Sequence, residues 1–440
     1  MNVTLSPWPP LPDPCGVYSL PTIAREKGFI FVDLPNCPIS FFAFPFSVGL
    51  MHEPEGLEGI TELLCRLLIE GAGDKWEDDM SLVLENLGAS WRHLVSDNYT
   101  WVSCSAPTEN LGEVFKVVSG SIRSPRLNPA AVTQVRADQV ARIRSGESTA
   151  RVRSVQAHAL YGPGRQAIPS NGTEISVLSI GEKDLRCHHE LLVASEATPV
   201  LVGDLRQTKY VADMVEQHHS RIPVLLPRIQ PRPRRLSGRE IIVVDQPRSK
   251  QARITIAHHV PCTGQTPKMA LTTAVHLLGG SGQSRLVQEL RDRRTQVYSA
   301  RAAIDMNRDS GLFTAYTQTH PSLAADVTEA ILETIGRIRV SGVTAIELAR
   351  SKTQLSGQAW LNMQTPQELG AWLTTLSMNG LDESYWMDQL AELSSVTVDQ
   401  VNEAAAQFLS TEDLVIILEG DARILDRGLS ESRIGRIRIV

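Results

Sequence analysis

Apolar residues recur at steps of three and four in GLEGITELLCRLLIEGAG, residues 56–73, where Ile60, Leu63, Leu64, Leu67 and Leu68 form one stripe. That spacing predicts a helix with one buried face, closed by Gly71 and Gly73. PKMALTTAVHLLG (267–279) and SLAADVTEAILETIGRIRVSG (322–342) repeat the one-sided pattern and predict further helices. Elsewhere the pattern turns to β-branched and aromatic runs. FIFVDLPNCPISFFAFPFSVG (29–49) and EIIVVDQPRSKQARITIAHHV (240–260) each predict two strands that turn at a proline-containing segment. Strands, then helices, then a return strand predict an α+β fold with a mainly antiparallel sheet packed on one side by helices.

The pattern occurs twice. ISVLSIGEKDL leads through a helix to the strand TPVLVGDL, and AELSSVTVDQV leads through a helix to EDLVIILEGDA. Gly203-Asp204 and Gly420-Asp421 close the two return strands, and Asp184 and Asp399 sit early in the preceding helices, where acids complement the helix N-terminus. Between the copies runs PRIQPRPRRLSGR, a Pro/Arg-rich stretch without hydrophobic periodicity. The chain therefore divides into two homologous domains, 1–226 and 240–440, joined by a linker at 227–239.

Composition narrows the function without naming it. A length of 440 residues exceeds one ordinary core, and 42% hydrophobic with 21% charged residues is a globular balance. The net charge of -6 offers no general attraction to nucleic acid. No run is long enough to span a membrane, and the N-terminus has no secretory pattern, so the expected location is the cytoplasm. Six scattered cysteines (Cys15, Cys37, Cys65, Cys104, Cys187, Cys262) read as reduced thiols.

Candidate chemistry is sparse. The adjacent pairs His188-His189, His218-His219 and His258-His259 point to different faces, and no His-x-x-x-His spacing occurs, so no metal site is expected in this chain. The turn LLGGSGQSRLVQELRDRR, with Gly279, Gly280 and Gly282, follows a helical pattern and reads as a join between helices rather than a phosphate loop. Leu286 and Leu290 continue that second helix, and QVYSARAAI reads as a strand. Arg291 near the helix end and Tyr298 in the strand are donors of the kind that steady an oxyanion, or else a surface ion pair and a half-buried strand residue.

GGSGQSRLVQELRDRRTQVYSARAAI, the run YGPGRQAIPSNGTEISVLSIGEKDL and the paired Gly-Asp strand ends carry a family likeness. From about Gly28 to Ala422 the chain resembles the M16 zinc peptidases, the pitrilysin or mitochondrial processing peptidase group, in their short two-domain form. Active members of that family hold zinc with H-x-x-E-H and a distant Glu. The resemblance places Gly59 and Leu63 at the two histidine positions, Glu62 at the base position and Arg142 at the third ligand. It also implies that Arg291 and Tyr298, seven residues apart, are the pair that holds the scissile carbonyl. Arg92 and His93 stand where relatives have Asn-Ala on the peptide-binding edge, which removes the family's usual peptide contact there.

The implied role is a non-catalytic subunit, inactive alone, in a heterodimeric metalloendopeptidase. A sister chain with H-x-x-E-H would carry the zinc, the two would enclose a peptide substrate such as a precursor or leader peptide, and this chain would bind no cofactor. A structural or peptide-holding scaffold with no part in proteolysis is the competing expectation, followed by a stand-alone hydrolase with an unrecognised site.

Overall fold

A computed structural model describes residues 23–26, 28–70, 80–125, 127–146, 148–205, 224, 226–230, 232–261, 267–306, 311–431, 434 and 436–440. Gly71, Gly73, Cys15, Cys262, the His218-His219 pair and parts of the linker lie outside the described residues. The chain forms two units, each built around a six-stranded sheet. In chain order the strands are β1 (Ile23–Glu26), β2 (Phe29–Asp33), β3 (Ile39–Phe46), β4 (Ser90–Val95), β5 (Thr100–Pro107), β6 (Val200–Gly203), β7 (Arg239–Asp245), β8 (Ala252–Val260), β9 (Ala300–Met306), β10 (Gly311–Thr319), β11 (Leu414–Gly420) and β12 (Arg436–Ile439).

The first sheet runs β1-β2-β6-β3-β5-β4 and the second β12-β7-β11-β8-β10-β9. The opening strands of each half do not pair with each other. The return strand inserts between them, β6 between β2 and β3 and β11 between β7 and β8, parallel to the first and antiparallel to the second. The predicted duplication extends to single hydrogen bonds. Asp204 accepts from the Asn36 N–H and Asp421 from the Arg248 N–H, each at 2.8 Å. Asn36 and Arg248 both have left-handed backbones, with φ of 64° and 67°. Asp33 and Asp245, at the ends of β2 and β7, accept from Leu205 N–H and Ala422 N–H, each at 3.0 Å.

In the first unit, alternation along β3 divides its phenylalanines between two faces. Phe42, Phe44 and Phe46 pack against the helices Ile60–Leu67 and Leu111–Arg123, with Phe115 ring centroids 5.2 Å from Phe42 and 5.3 Å from Phe44. Phe41 and Ala43 face the other way, with Ile30, Val32, Val200 and Val202, and meet Leu369 and Leu373 of the helix Pro366–Met378. Gly370 permits that approach, since a Cβ there would lie 2.1 Å from the Phe41 ring. Burying each of these leucines contributes ~1.5–3 kcal/mol.

The second unit follows the same plan. Ile254, Ile256, Phe313 and Ile416 face the helices Lys268–Val275, Ala324–Ser341 and Val398–Phe408. Ile242, Val244, Ala257, Val415 and Ile417 face Val152, Ala159 and Leu160 of the helix Ser148–Tyr161.

These cross-placed helices add detail to the expected plan. Among the described residues each sheet has helices on one face and one further helix on part of the other, because the strands are apolar on both faces. The boundary at 227–239 separates the sheets, but residues 148–167 belong to the second unit and 359–385 to the first. Apolar periodicity identifies such a helix without saying which sheet it covers. Among the described residues no helix is long and apolar enough to cross a membrane.

Candidate functional site

The helix of the first stripe runs from Ile60 to Leu67 and tightens into a 3-10 turn at Leu68–Glu70. Its N-cap is Gly59, which has no side chain to satisfy the first N–H groups. Glu53 does so instead, its two carboxylate oxygens accepting from Gly59 N–H at 3.0 Å and Thr61 N–H at 3.1 Å. Thr61 bonds His188 at 2.9 Å in the interior, where burial and the neighbouring His52 and His189 push the His188 pKa down to about 4.

The positions expected to be degenerate zinc ligands are closed to a metal. Gly59 adopts φ +93°, and a Cβ there would stand 2.6 Å from the Asn171 carbonyl oxygen. A histidine would therefore be strained and would strike the Asn171-Gly172 backbone. Leu63 is fully buried in the helix-side core.

Glu62 is already engaged. One oxygen accepts from Arg66, one turn on, at 3.0 and 2.7 Å, and the other meets His93 Nε2 of β4 at 3.1 Å. Burial by itself would raise its pKa, but the hydrogen bond and charge of His93, with those of Arg66, outweigh it and hold the carboxyl at about 2. A carboxylate with both oxygens tied and so low a pKa is a poor general base.

The third-ligand region departs from the sequence assignment. Arg142 is an exposed residue of the helix Pro129–Arg144. The side chain of that helix that reaches the Gly59 region is Gln139, fully buried, whose amide donates to Gly59 O at 3.1 Å and Asn171 O at 2.9 Å. Its signal in the sequence was faint, a polar residue among the valines at 132, 135 and 140 that the core takes in. A glycine, a core leucine and an amide do not form a zinc donor set, so zinc does not fit this helix. No group of three His, Cys, Asp or Glu side chains among the described residues could hold an ion.

In the second unit the glycine-rich turn does join helical segments, a π-helix at His276–Gly280 and another at Gln288–Arg293. Gly279 is required there because a Cβ would lie 2.1 Å from the Ala302 nitrogen of β9. Arg291 rides on the second segment, 41% exposed at the side chain, and pairs with Asp292 at 2.7 Å. Tyr298 precedes β9 rather than lying in the strand as expected, and is 95% exposed, which does not fit the alternative of a half-buried strand residue. Among the described residues no hydrogen bond joins the two. Behind them Glu289 gathers Arg293, Arg294 and Arg337 at 2.9–3.3 Å, an ion cluster that holds the segment in place.

Comparisons with known proteins agree on the lineage. A family profile described as Insulinase (Peptidase family M16) matches residues 30–163, and one described as Peptidase M16 inactive domain matches residues 182–355. An uncharacterized zinc protease of Mycobacterium leprae (strain TN) is 24% identical over 374 residues, 82% of this chain and 83% of that protein. Among solved structures, a peptidase M16 inactive domain from Pseudomonas fluorescens has a TM-score of 0.78 at 21% identity, over 90% of this chain and 97% of that one. A protease from Helicobacter pylori has a TM-score of 0.80 at 16% identity, over 91% and 100%.

Proposed function

This chain belongs to peptidase family M16, and from that premise we propose that it is the non-catalytic subunit of a heterodimeric M16-type endopeptidase. A sister chain with an intact H-x-x-E-H supplies the metal. This chain supplies part of the enclosure around a peptide substrate, such as a precursor or leader peptide, and the donors Arg291 and Tyr298. The observation that carries the reading is the 95% exposure of Tyr298 beside a core strand, for which packing gives no reason. A guanidinium and a phenol hydroxyl are both hydrogen-bond donors suited to a carbonyl oxygen that gains negative charge during attack. The four described cysteines are free thiols, which favours a reducing compartment, the cytoplasm.

The test is reconstitution with the sister chain. Neither chain alone cleaves an unstructured peptide, the mixture does, and Arg291→Ala slows the mixture by about a hundredfold. Full cleavage by the Arg291→Ala mixture removes the donor role. The Arg291-Asp292 ion pair favours the second reading, a scaffold subunit, because a paired guanidinium has less to offer a substrate. That reading requires the sister chain to work as well without this one.

A further inference from the structure

Strand β9 begins at Ala300, whose register partner on β10 is Thr317, while β10 itself runs on to Thr319. Ala300 and Ala302 enter the helix-side core, so by alternation a ladder continued backward from Ala300 would send Tyr298 into that core as well. The chain does the opposite. Val297 takes the core position, and Tyr298 stands outside.

Two buried hydroxyls mark the departure. Thr317, 2% exposed, donates to Ser299 O at 2.6 Å, and Thr319, 5% exposed, donates to Gln296 O at 2.8 Å. The two carbonyls bracket Val297-Tyr298. From the other end, Arg294 N–H donates to Glu289 O at 3.1 Å and Gln296 N–H to Leu290 O at 2.9 Å, which ties the same stretch to the π-helix that carries Arg291. Tyr298 is thus exposed at the side chain and held at the backbone on both sides. By alternation with Phe313 and Ala315 both threonines face the helix-side core, where valine would suit the strand as well and a hydroxyl without an acceptor would be costly. Packing of β10 therefore does not account for the two hydroxyls, whereas the carbonyls around Tyr298 do.

We infer that Thr317 and Thr319 are positioning residues for Tyr298: their hydroxyls replace the ladder bonds lost before Ala300, turn the tyrosine out of the sheet and hold it in fixed relation to Arg291. The inference rests on the reading of Tyr298 as a donor to the scissile carbonyl, and it identifies what sets that donor's place.

Thr317→Val and Thr319→Val remove each hydroxyl at nearly constant shape, and Thr317→Ser and Thr319→Ser keep it. In the full chain mixed with its sister chain, each Val variant lowers kcat on an unstructured peptide about tenfold with KM unchanged, and each Ser variant stays within about twofold of the parent. In a Tyr298→Phe background the Val changes cost nothing further, because they act through the lost phenol hydroxyl. In the chain alone, amide hydrogen exchange over residues 294–299 quickens about tenfold in the Val variants and keeps the parent rate in the Ser variants. Each hydroxyl is removed singly, so a variant that fails to fold leaves the other to decide. Parent kcat in both Val variants, a tenfold loss that persists in the Tyr298→Phe background, or unchanged exchange over 294–299 overturns the inference. Absence of cleavage by the parent mixture sinks the endopeptidase reading instead, and the exchange measurement then decides the positioning role by itself.

Discussion

The two units repeat the order of five strands and even single turn hydrogen bonds, differing at the outer edge where β1 is antiparallel to β2 and β12 parallel to β7, yet their polar side chains are used in opposite ways. In the first unit the charges near the helix Ile60–Leu67 satisfy one another: Glu62 with Arg66 and His93, and Glu53 with the helix N-terminus. In the second, a buried Glu289 gathers arginines that reach the surface and supports a segment whose donors Arg291 and Tyr298 also stand at the surface. Corresponding backbones thus differ in whether a polar group has its partner inside the fold. A carboxylate already paired on both oxygens is structural, whereas an exposed phenol is available to a ligand.

The largest effect that would break the comparison comes from rebuilding the lost motif. Gly59→His combined with Leu63→His puts a side chain at a left-handed position against Asn171 and an imidazole in an apolar core. The expected loss is at least ~3 kcal/mol in urea unfolding, with no zinc uptake by calorimetry. A stable, zinc-binding double variant would show that the first unit is not closed. Next is Arg291→Ala in the reconstituted mixture, with its expected hundredfold loss in kcat/KM, set against Arg66→Ala, which lowers the unfolding midpoint and spares turnover.

Glu62→Gln sharpens the contrast through pH. Because the folded pKa of Glu62 is depressed to about 2, its ion pairs stabilise the protein fully above the ordinary value of 4.5. The contribution is lost as pH falls from 4.5 towards 2. The variant is therefore expected to be less stable by ~1–3 kcal/mol at pH 7 and to match the parent near pH 2, read from unfolding midpoints across pH. A constant difference at every pH would exclude the ion pairs as its source.

The smallest effect compares the two Gly-Asp ends. Asp204 is fully buried and Asp421 bonds its turn at the surface. Asp204→Ala is expected to cost ~1–3 kcal/mol by stranding the Asn36 N–H, and Asp421→Ala less, because water replaces the lost acceptor. Equal losses would mean that burial does not separate the copies.

The stripe of Ile60, Leu63, Leu64 and Leu67, the phenylalanine alternation of β3 and the paired Gly-Asp ends depend on local periodicity, which a linear sequence carries in full. So the two-sheet α+β plan, its duplication and the missing histidines were legible from residues alone. Partners distant in the chain were not. That His93 crosses from β4 to Glu62, that Gln139 rather than Arg142 reaches Gly59, and that helices 148–161 and 366–378 exchange sheets all depend on long-range packing. Periodicity marks which face of an element is apolar, but only the folded chain brings a second surface to it and decides which polar groups meet a partner there.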